Sequence, residues 1–194
     1  MKNTDQNRRD FIKTLAISSS AAALAASPWL RVFGNDSITG KGPGDTVRLA
    51  IIGTGSRGKR LIRFLLTFYE QKNIHIPAIC DNFQLHIDNT LPLFAESGIT
   101  PKTYVDYREM IEKEDLDAVI IATPLHQHAH ISIDCMQSGL QVFCEKAMAR
   151  TMEDVKKMYD THLETNQILQ IGHQRLFNPV YLEGMQRIHN EDLG

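Results

Sequence analysis

The twelve residues from Val47 to Gly58 read VRLAIIGTGSRG, and no other stretch of the chain constrains its fold as tightly. The apolar run is a buried strand, and RGKRLIRFLLTFYE then carries Leu61, Leu65 and Phe68 at helical spacing. Between strand and helix lies Gly53-Thr54-Gly55-Ser56-Arg57-Gly58, a G-x-G-x-x-G turn. Its first glycine permits the tight turn, the second lets the backbone approach a pyrophosphate, and the third lets the helix pack closely on the strand. The helix N-terminus offers free N–H groups and the positive end of its dipole to the phosphates. All six residues are therefore candidate contacts for a dinucleotide. Arg57 is placed to reach the pyrophosphate or to stand exposed at the helix start.

The next strand, NIHIPAICD, ends in Asp81, 23 residues after Gly58. At that position a carboxylate can accept hydrogen bonds from an adenosine ribose. It would also repel a 2′-phosphate, and Asn82 and Phe83 bring no cation to reverse this, so NAD is expected rather than NADP.

Strand and helix patterns continue to alternate. FQLHIDNTLPLFAES reads as a helix interrupted or kinked around Pro92, TYVD as a short strand and Tyr107 to Lys113 as a brief helix. LDAVIIATP is the clearest strand, HAHISIDCMQS a helix and LQVFCE a fifth strand. TMEDVKKMYDTHLE places Met152, Val155, Met158, Tyr159 and Leu163 on one face, with Thr151 as N-cap and Asp154 in the acidic position of a capping box. QILQIG is the last strand, and Pro179 opens a final helix with Tyr181, Met185 and Ile188 inward. This order predicts an α/β fold, a doubly wound parallel sheet of about six strands covered by helices on both faces.

In such a sheet, ligands bind outside the carboxyl ends of the strands. Thr123 and Pro124 arrive there from strand four, Glu145 and Lys146 from strand five, and His173, Gln174 and Arg175 from strand six. His126, His128 and His130 alternate as metal ligands can, but they straddle a helix start and no nearby Cys or acid completes a set. A polar cluster near the cofactor is the stronger reading, and no metal is expected.

The chain has 194 residues, a formal net charge of −2 and a pI near 6.4, enough for one well-packed domain and without the basic field that nucleic-acid binding needs. Its start differs from the rest. MKNTDQNRRDFIK is basic, TLAISSSAAALAASPWL is uncharged and modestly apolar, and Ala23-Leu24-Ala25 offers a cleavage site. Arg8-Arg9-Asp10-Phe11-Ile12-Lys13 resembles a twin-arginine signal, which routes folded proteins across a bacterial inner membrane. The expected organisation is a signal peptide over 1–25, a linker over 26–45 and a dinucleotide-binding domain over 46–194. The mature net charge would be −4, and the address periplasmic, with an uncleaved inner-membrane anchor as the alternative. Cys80, Cys135 and Cys144 are odd in number and lie in apolar contexts, which predicts buried free thiols. Folding before export would keep them reduced.

Taken together, GTGSRG, ICD, ATPLHQH, CEKAMA and IGHQRLFNP resemble the Gfo/Idh/MocA family of glucose-fructose oxidoreductases and inositol dehydrogenases, especially its exported twin-arginine members. The resemblance covers residues 46 to 194, the family's N-terminal Rossmann domain. It implies that Gly53, Gly55 and Gly58 hold the pyrophosphate, that Asp81 binds the ribose, and that Thr123, Pro124 and His128 form the T-P-x-x-x-H segment. It implies further that Glu145 neighbours the cofactor and that Lys146 lies beside the nicotinamide and the substrate hydroxyl. His173, Gln174, Arg175 and Phe177 fall on the segment after strand six. Partial burial of Lys146 would lower its pKa and suit it to proton relay.

Two departures stand out. Ala147 replaces the family's proline after the lysine. The chain stops at Gly194, whereas family members continue with an α/β domain that forms the other wall of the substrate pocket and supplies a histidine or aspartate for proton transfer. The implied activity is hydride transfer between nicotinamide and a hydroxyl of a sugar, cyclitol or glycoside. The alternatives are a glycosidase or lyase acting through transient sugar oxidation, or a nucleotide-binding module without turnover of its own. The implied partners are the carbohydrate-like substrate, the twin-arginine machinery and, for a complete enzyme, further copies of itself. The face that meets the second domain predicts an exposed apolar patch.

Overall fold

The computed structural model describes residues 45–67, 69, 73–175 and 178–190. The segment read as a signal peptide and almost all of the linker lie outside them, as does Phe177. The strands are β1 (Val47–Ile52), β2 (Ile74–His75), β3 (Ala78–Cys80), β4 (Lys102–Tyr104), β5 (Ala118–Ile121), β6 (Gln141–Glu145) and β7 (Leu169–Gly172). All pair in parallel, in the order β4-β3-β1-β5-β6-β7, with β2 beside the start of β1. The chain winds outward from β1 to β4 and then returns to β5 on the other side of β1. The order therefore reverses between β1 and β5, and a crevice opens at their carboxyl ends.

Among the described residues there are seven strands where about six were expected, because Pro77 divides the second. Val47 and Arg48 oppose Ile74 and His75, whereas Ile51 and Ile52 oppose Ile79 and Cys80, so the outer strand holds one extra residue. Proline has no N–H to give the ladder, and the extra residue takes up the interruption as a bulge does.

Alternation along β1 builds the two halves of the core. Leu49 and Ile51 face α1 (Ser56–Thr67) and the short α2 (Gln84–Asp88) and α3 (Leu91–Ala95), packing with Ile62, Ile87 and Phe94. Ala50 and Ile52 face the other layer, where α4 (Tyr107–Lys113), α5 (His128–Gln137) and α6 (Met152–Thr165) contribute Met110, Cys135, Met136 and Met158. The helix expected to be interrupted near Pro92 is two helices, with Pro92 in the first turn of α3, where its missing N–H costs nothing. Thr151 Oγ1 accepts from Asp154 N at 3.1 Å, the cap that the sequence implied for α6.

Two predicted inward faces are corrected. In α6 only Met158 of the expected stripe is buried, while Met152, Tyr159 and Leu163 are exposed. The helix instead turns Thr161 inward. That hydroxyl donates to the Lys157 carbonyl at 2.8 Å, which lets it enter the interior without an unmet polar group. In α7 (Pro179–His189), Tyr181, Met185 and Ile188 are exposed together with Val180 and Leu182, because no described residue covers that face. Among the described residues no helix is long and apolar enough to cross a membrane.

All three cysteines are free and buried. Burial, reinforced by nearby carboxylates, pushes the Cys80 thiol up to about 12 from 9.0, and burial pushes Cys144 up to about 11 and Cys135 higher still. Between pH 9.0 and about 11 the unfolded chain has released these protons and the folded one has not. Stability is therefore expected to fall as pH rises through that window. Urea midpoints measured on either side of it should decrease, and Cys80→Ala should flatten the decrease; a midpoint independent of pH would refute the assignment.

Candidate functional site

The crevice at the switch point is a cleft of about 690 Å³. One wall is the glycine turn, with Gly53, Gly55, Ser56 and Arg57; the floor is Ile52, Cys80 and Ala122 at the ends of the central strands. Asp81 and His86 close one end, Asp106, Tyr107 and Arg108 form the outer wall, and Thr123, Pro124, Gln127 and His130 complete the β5 side.

The turn has the backbone that only glycine supplies. Gly53 has φ +92°, and a side chain there would meet the Ala122 carbonyl carbon at 2.7 Å. A Cβ on Gly58 would lie 2.0 Å from the Gly53 carbonyl oxygen, so the first turn of α1 rests directly on the loop. Asp81, 9% exposed, is welded to the same turn: its Oδ2 accepts from Thr54 N at 2.7 Å and more weakly from the Thr54 hydroxyl at 3.3 Å. Oδ1 accepts from Phe83 N at 2.9 Å and retains capacity for a further donor. Thr54 itself is fully buried, so it orders the site from behind.

These features fit a dinucleotide. The glycine cradle leaves no side chain between the backbone and the cleft, the helix start faces it, and a carboxylate anchored through both oxygens keeps acceptor capacity on Oδ1. Thr123 Oγ1 at the tip of β5 is buried without a partner.

The structure separates the other sequence candidates. Arg57 turns toward the end of β6, where its Nη2 donates to Glu145 Oε1 at 2.5 Å. Glu145 is only 5% exposed, and its Oε2 accepts from the Lys146 backbone N–H at 3.3 Å. An ion pair thus spans the strand between β1 and β6 and ties the glycine turn to the backbone of the lysine. Arg57→Met should leave a buried carboxylate without its cation and destabilise the domain by about 3 kcal/mol, the low end for a broken buried pair because Arg57 is partly exposed. Adding Glu145→Gln should recover part of that loss in urea unfolding, and strict additivity would show that the pair is uncoupled.

His128 lies behind the cleft rather than in it. Its Nδ1 is 2.8 Å from the Ala147 carbonyl and its Nε2 is 3.0 Å from the Thr123 carbonyl, so one buried ring pins the tips of β5 and β6 together. The Lys146–Ala147 peptide is cis. Lys146 is exposed, and its ammonium reaches no partner among the described residues, so the partial burial expected of it is not found. Arg175 is also exposed, its guanidinium 5.6 Å from the Tyr181 ring centre, facing α7 rather than the cleft. His126 and His130 are exposed and His128 is buried; among the described residues no His, Cys, Asp and Glu cluster could hold a metal ion.

The sequence reading missed two parts of the site. One is His86, whose signal was its place in the first helical turn after the ribose acid, close enough for α2 to fold it back. The other is the outer wall. Asp106 caps α4 through Arg108 N–H at 2.9 Å, and Arg108 lies over Tyr107 at 4.6 Å while donating to Asp134 at 2.7 Å. Burial and the bond to Asp134 push the Tyr107 phenol up, which keeps that phenol neutral between the charged Asp106 and Arg108. No motif marks such a wall, because a loop from another strand builds it.

Comparison with known proteins gives three consistent findings. The Gfo/Idh/MocA family model, described as an oxidoreductase family with an NAD-binding Rossmann fold, matches residues 47–173. A glycosyl hydrolase family 109 protein of Stenotrophomonas maltophilia is 32% identical over 166 residues, which cover 81% of this chain and 33% of that protein. Among solved structures, myo-inositol 2-dehydrogenase from Lactobacillus plantarum superposes with a TM-score of 0.68 at 30% identity, covering 77% of this chain and 43% of that one. The scyllo-inositol dehydrogenase of Lactobacillus casei, solved with bound NAD(H) and scyllo-inositol, shares the fold with a TM-score of 0.65 at 24% identity and the same coverage. The chain spans about a third of the length of the curated relatives it matches.

Proposed function

Because the chain belongs to the Gfo/Idh/MocA family of oxidoreductases with an NAD-binding Rossmann fold, we propose that it is the cofactor half of an enzyme acting on a hydroxyl of a sugar, cyclitol or glycoside. The observation that carries this reading is the cleft at the β1/β5 switch point, where the glycine turn and Asp81 are one hydrogen-bonded unit and β6 delivers Glu145 and Lys146 to the same edge. NAD supplies a nicotinamide that takes up or returns hydride. Gly53, Gly55 and Gly58 open the backbone toward the pyrophosphate, and Asp81 holds the ribose through its Oδ1. Glu145 fixes the backbone of Lys146, whose side chain would hydrogen-bond the reacting substrate oxygen, taking the hydroxyl proton as the free amine when hydride leaves for the nicotinamide and giving it back as the ammonium when hydride returns. The remaining wall of the substrate pocket comes from a further α/β domain, which would cover the exposed Lys146.

The glycosyl hydrolase family 109 relatives favour a second reading with the same cofactor site: transient oxidation of a sugar, cleavage of the glycosidic bond and return of the hydride. Product analysis separates the two in a protein that joins this chain to its substrate domain. NADH appearing in proportion to product supports the dehydrogenase; a cleaved glycoside with no net NADH supports the glycosidase; neither product would sink both. For the chain alone, calorimetric titration should show NAD binding without turnover.

The proposal extends to the N-terminus. Arg8-Arg9-Asp10-Phe11-Ile12-Lys13 and the Ala23-Leu24-Ala25 site support export by the twin-arginine route to the periplasm, with residues 26–45 as linker. Accumulation of an Arg8→Lys, Arg9→Lys variant in the cytoplasm would support this; unchanged export would refute it. The exposed apolar residues of α7 favour association of the complete enzyme, through its second domain or with further copies of itself.

A further inference from the structure

Helix α2 brings to the ribose carboxylate a titratable group that Asn82 and Phe83 do not provide. His86 Nδ1 lies 3.0 Å from Asp81 Oδ2. An ionised carboxylate only accepts, so Nδ1 carries the proton in this contact and Nε2 is the nitrogen that changes with pH. In the neutral ring Nε2 is an acceptor; in the imidazolium it is an N–H donor beside a positive charge. The ring is 42% exposed, lines the cleft next to Gly55, and is held by the edge of Phe83 at 5.0 Å between ring centres.

The remaining charges around this end of the cleft are engaged elsewhere. Arg57 is bound to Glu145, Asp106 caps α4, and Arg108 is bound to Asp134. On α2 itself Asp88 accepts from the Gln84 amide at 2.8 Å, and α3, which packs against it, carries no titratable side chain. Asp81 and His86 are the charged and titratable groups in direct hydrogen bond at this end of the cleft.

We propose that His86 sets the cofactor selectivity of this site, excluding a 2′-phosphorylated dinucleotide when neutral and admitting it when protonated. With a neutral ring, the Asp81 carboxylate repels the 2′-phosphate. Protonation offsets that charge through the existing hydrogen bond and adds a charge-assisted donor at Nε2. Selectivity therefore follows the charge state of the ring. The proposal rests on the NAD cleft already described but not on the identity of the substrate.

The test is calorimetric titration of the chain with NAD and with NADP at about pH 5.5 and about pH 8. The ratio of the NADP to the NAD dissociation constant should fall about tenfold on acidification, the worth of one pKa unit of differential interaction. Protonation of the 2′-phosphate itself, with a second pKa near 6, also weakens its repulsion by Asp81 on acidification, so a variant without the titrating ring is needed to measure that background. His86→Asn keeps an N–H for Asp81 without a titrating charge, so its ratio should fall on acidification by clearly less than that of the wild type, the remainder being the phosphate's own protonation. His86→Arg should admit NADP at both pH values. A flat ratio in the wild type with NAD binding intact overturns the role of His86 alone, as does a wild-type fall reproduced by His86→Asn. Loss of NAD binding in the wild type at both pH values would overturn the cofactor site as well. The wild-type ratio needs no variant to fold.

Discussion

Gly58→Ala is expected to destabilise the domain by about 3 kcal/mol, the upper end of what overpacking costs. In most helices the same change would help by about 1 kcal/mol, because alanine orders more cheaply than glycine. Here the added Cβ would lie 2.0 Å from the Gly53 carbonyl oxygen. Both partners are backbone, and Gly53 is itself wedged against Ala122, so neither can step aside without moving α1 off the sheet. Thermal unfolding should show a midpoint lower by about 10 °C for a domain of this size, and NAD affinity should fall with it. Gly55→Ala is the control. Its Cβ would meet first the His86 ring, a side chain that can shift, at 3.3 Å, so stability should change by well under 1 kcal/mol while the dinucleotide loses its closest approach. Equal stability of the two variants would refute this account of the turn.

Lys146→Met is expected to reduce turnover by about 10²- to 10⁴-fold, the usual worth of a positioned acid or base. NAD affinity should change by less than about twofold and stability hardly at all, since the side chain is exposed and removing it empties no cavity. The measurement is kcat against NAD dissociation constant in a protein that joins this domain to the proposed substrate domain. Lys146→Arg tests the role further, because a guanidinium keeps the charge but does not release its proton. Parallel loss of binding and turnover would place Lys146 among the cofactor contacts instead, and turnover in Lys146→Arg near the wild-type level would exclude proton relay.

Much of this architecture was legible in the residues. Strand patterns ending in GTGSRG, ICD and ATP identify the dinucleotide crevice, because a parallel sheet needs apolar runs and a phosphate-binding turn needs glycine. Helix faces were less legible. Thr161 on α6 enters the interior because its hydroxyl donates back to its own helix, and Met152 and Leu163 stay outside even though their side chains are apolar. Hydrophobic periodicity counts side-chain polarity, while burial depends on whether each polar atom finds a partner and whether a neighbouring element covers the face.

The same division holds at the cleft. Asp81 could be placed from its position after the second strand, and its preference for NAD from its charge. That His86 folds back onto it, that Arg57 leaves the pyrophosphate side for Glu145, and that His128 pins two strand tips from behind all depend on side chains far apart in the chain. Sequence by itself determined the elements, their order and the chemistry at each strand end, since these follow from local pattern and backbone sterics. Only the tertiary structure decided which charges meet, because hydrogen bonds and ion pairs act over a few ångströms between groups that folding alone brings together.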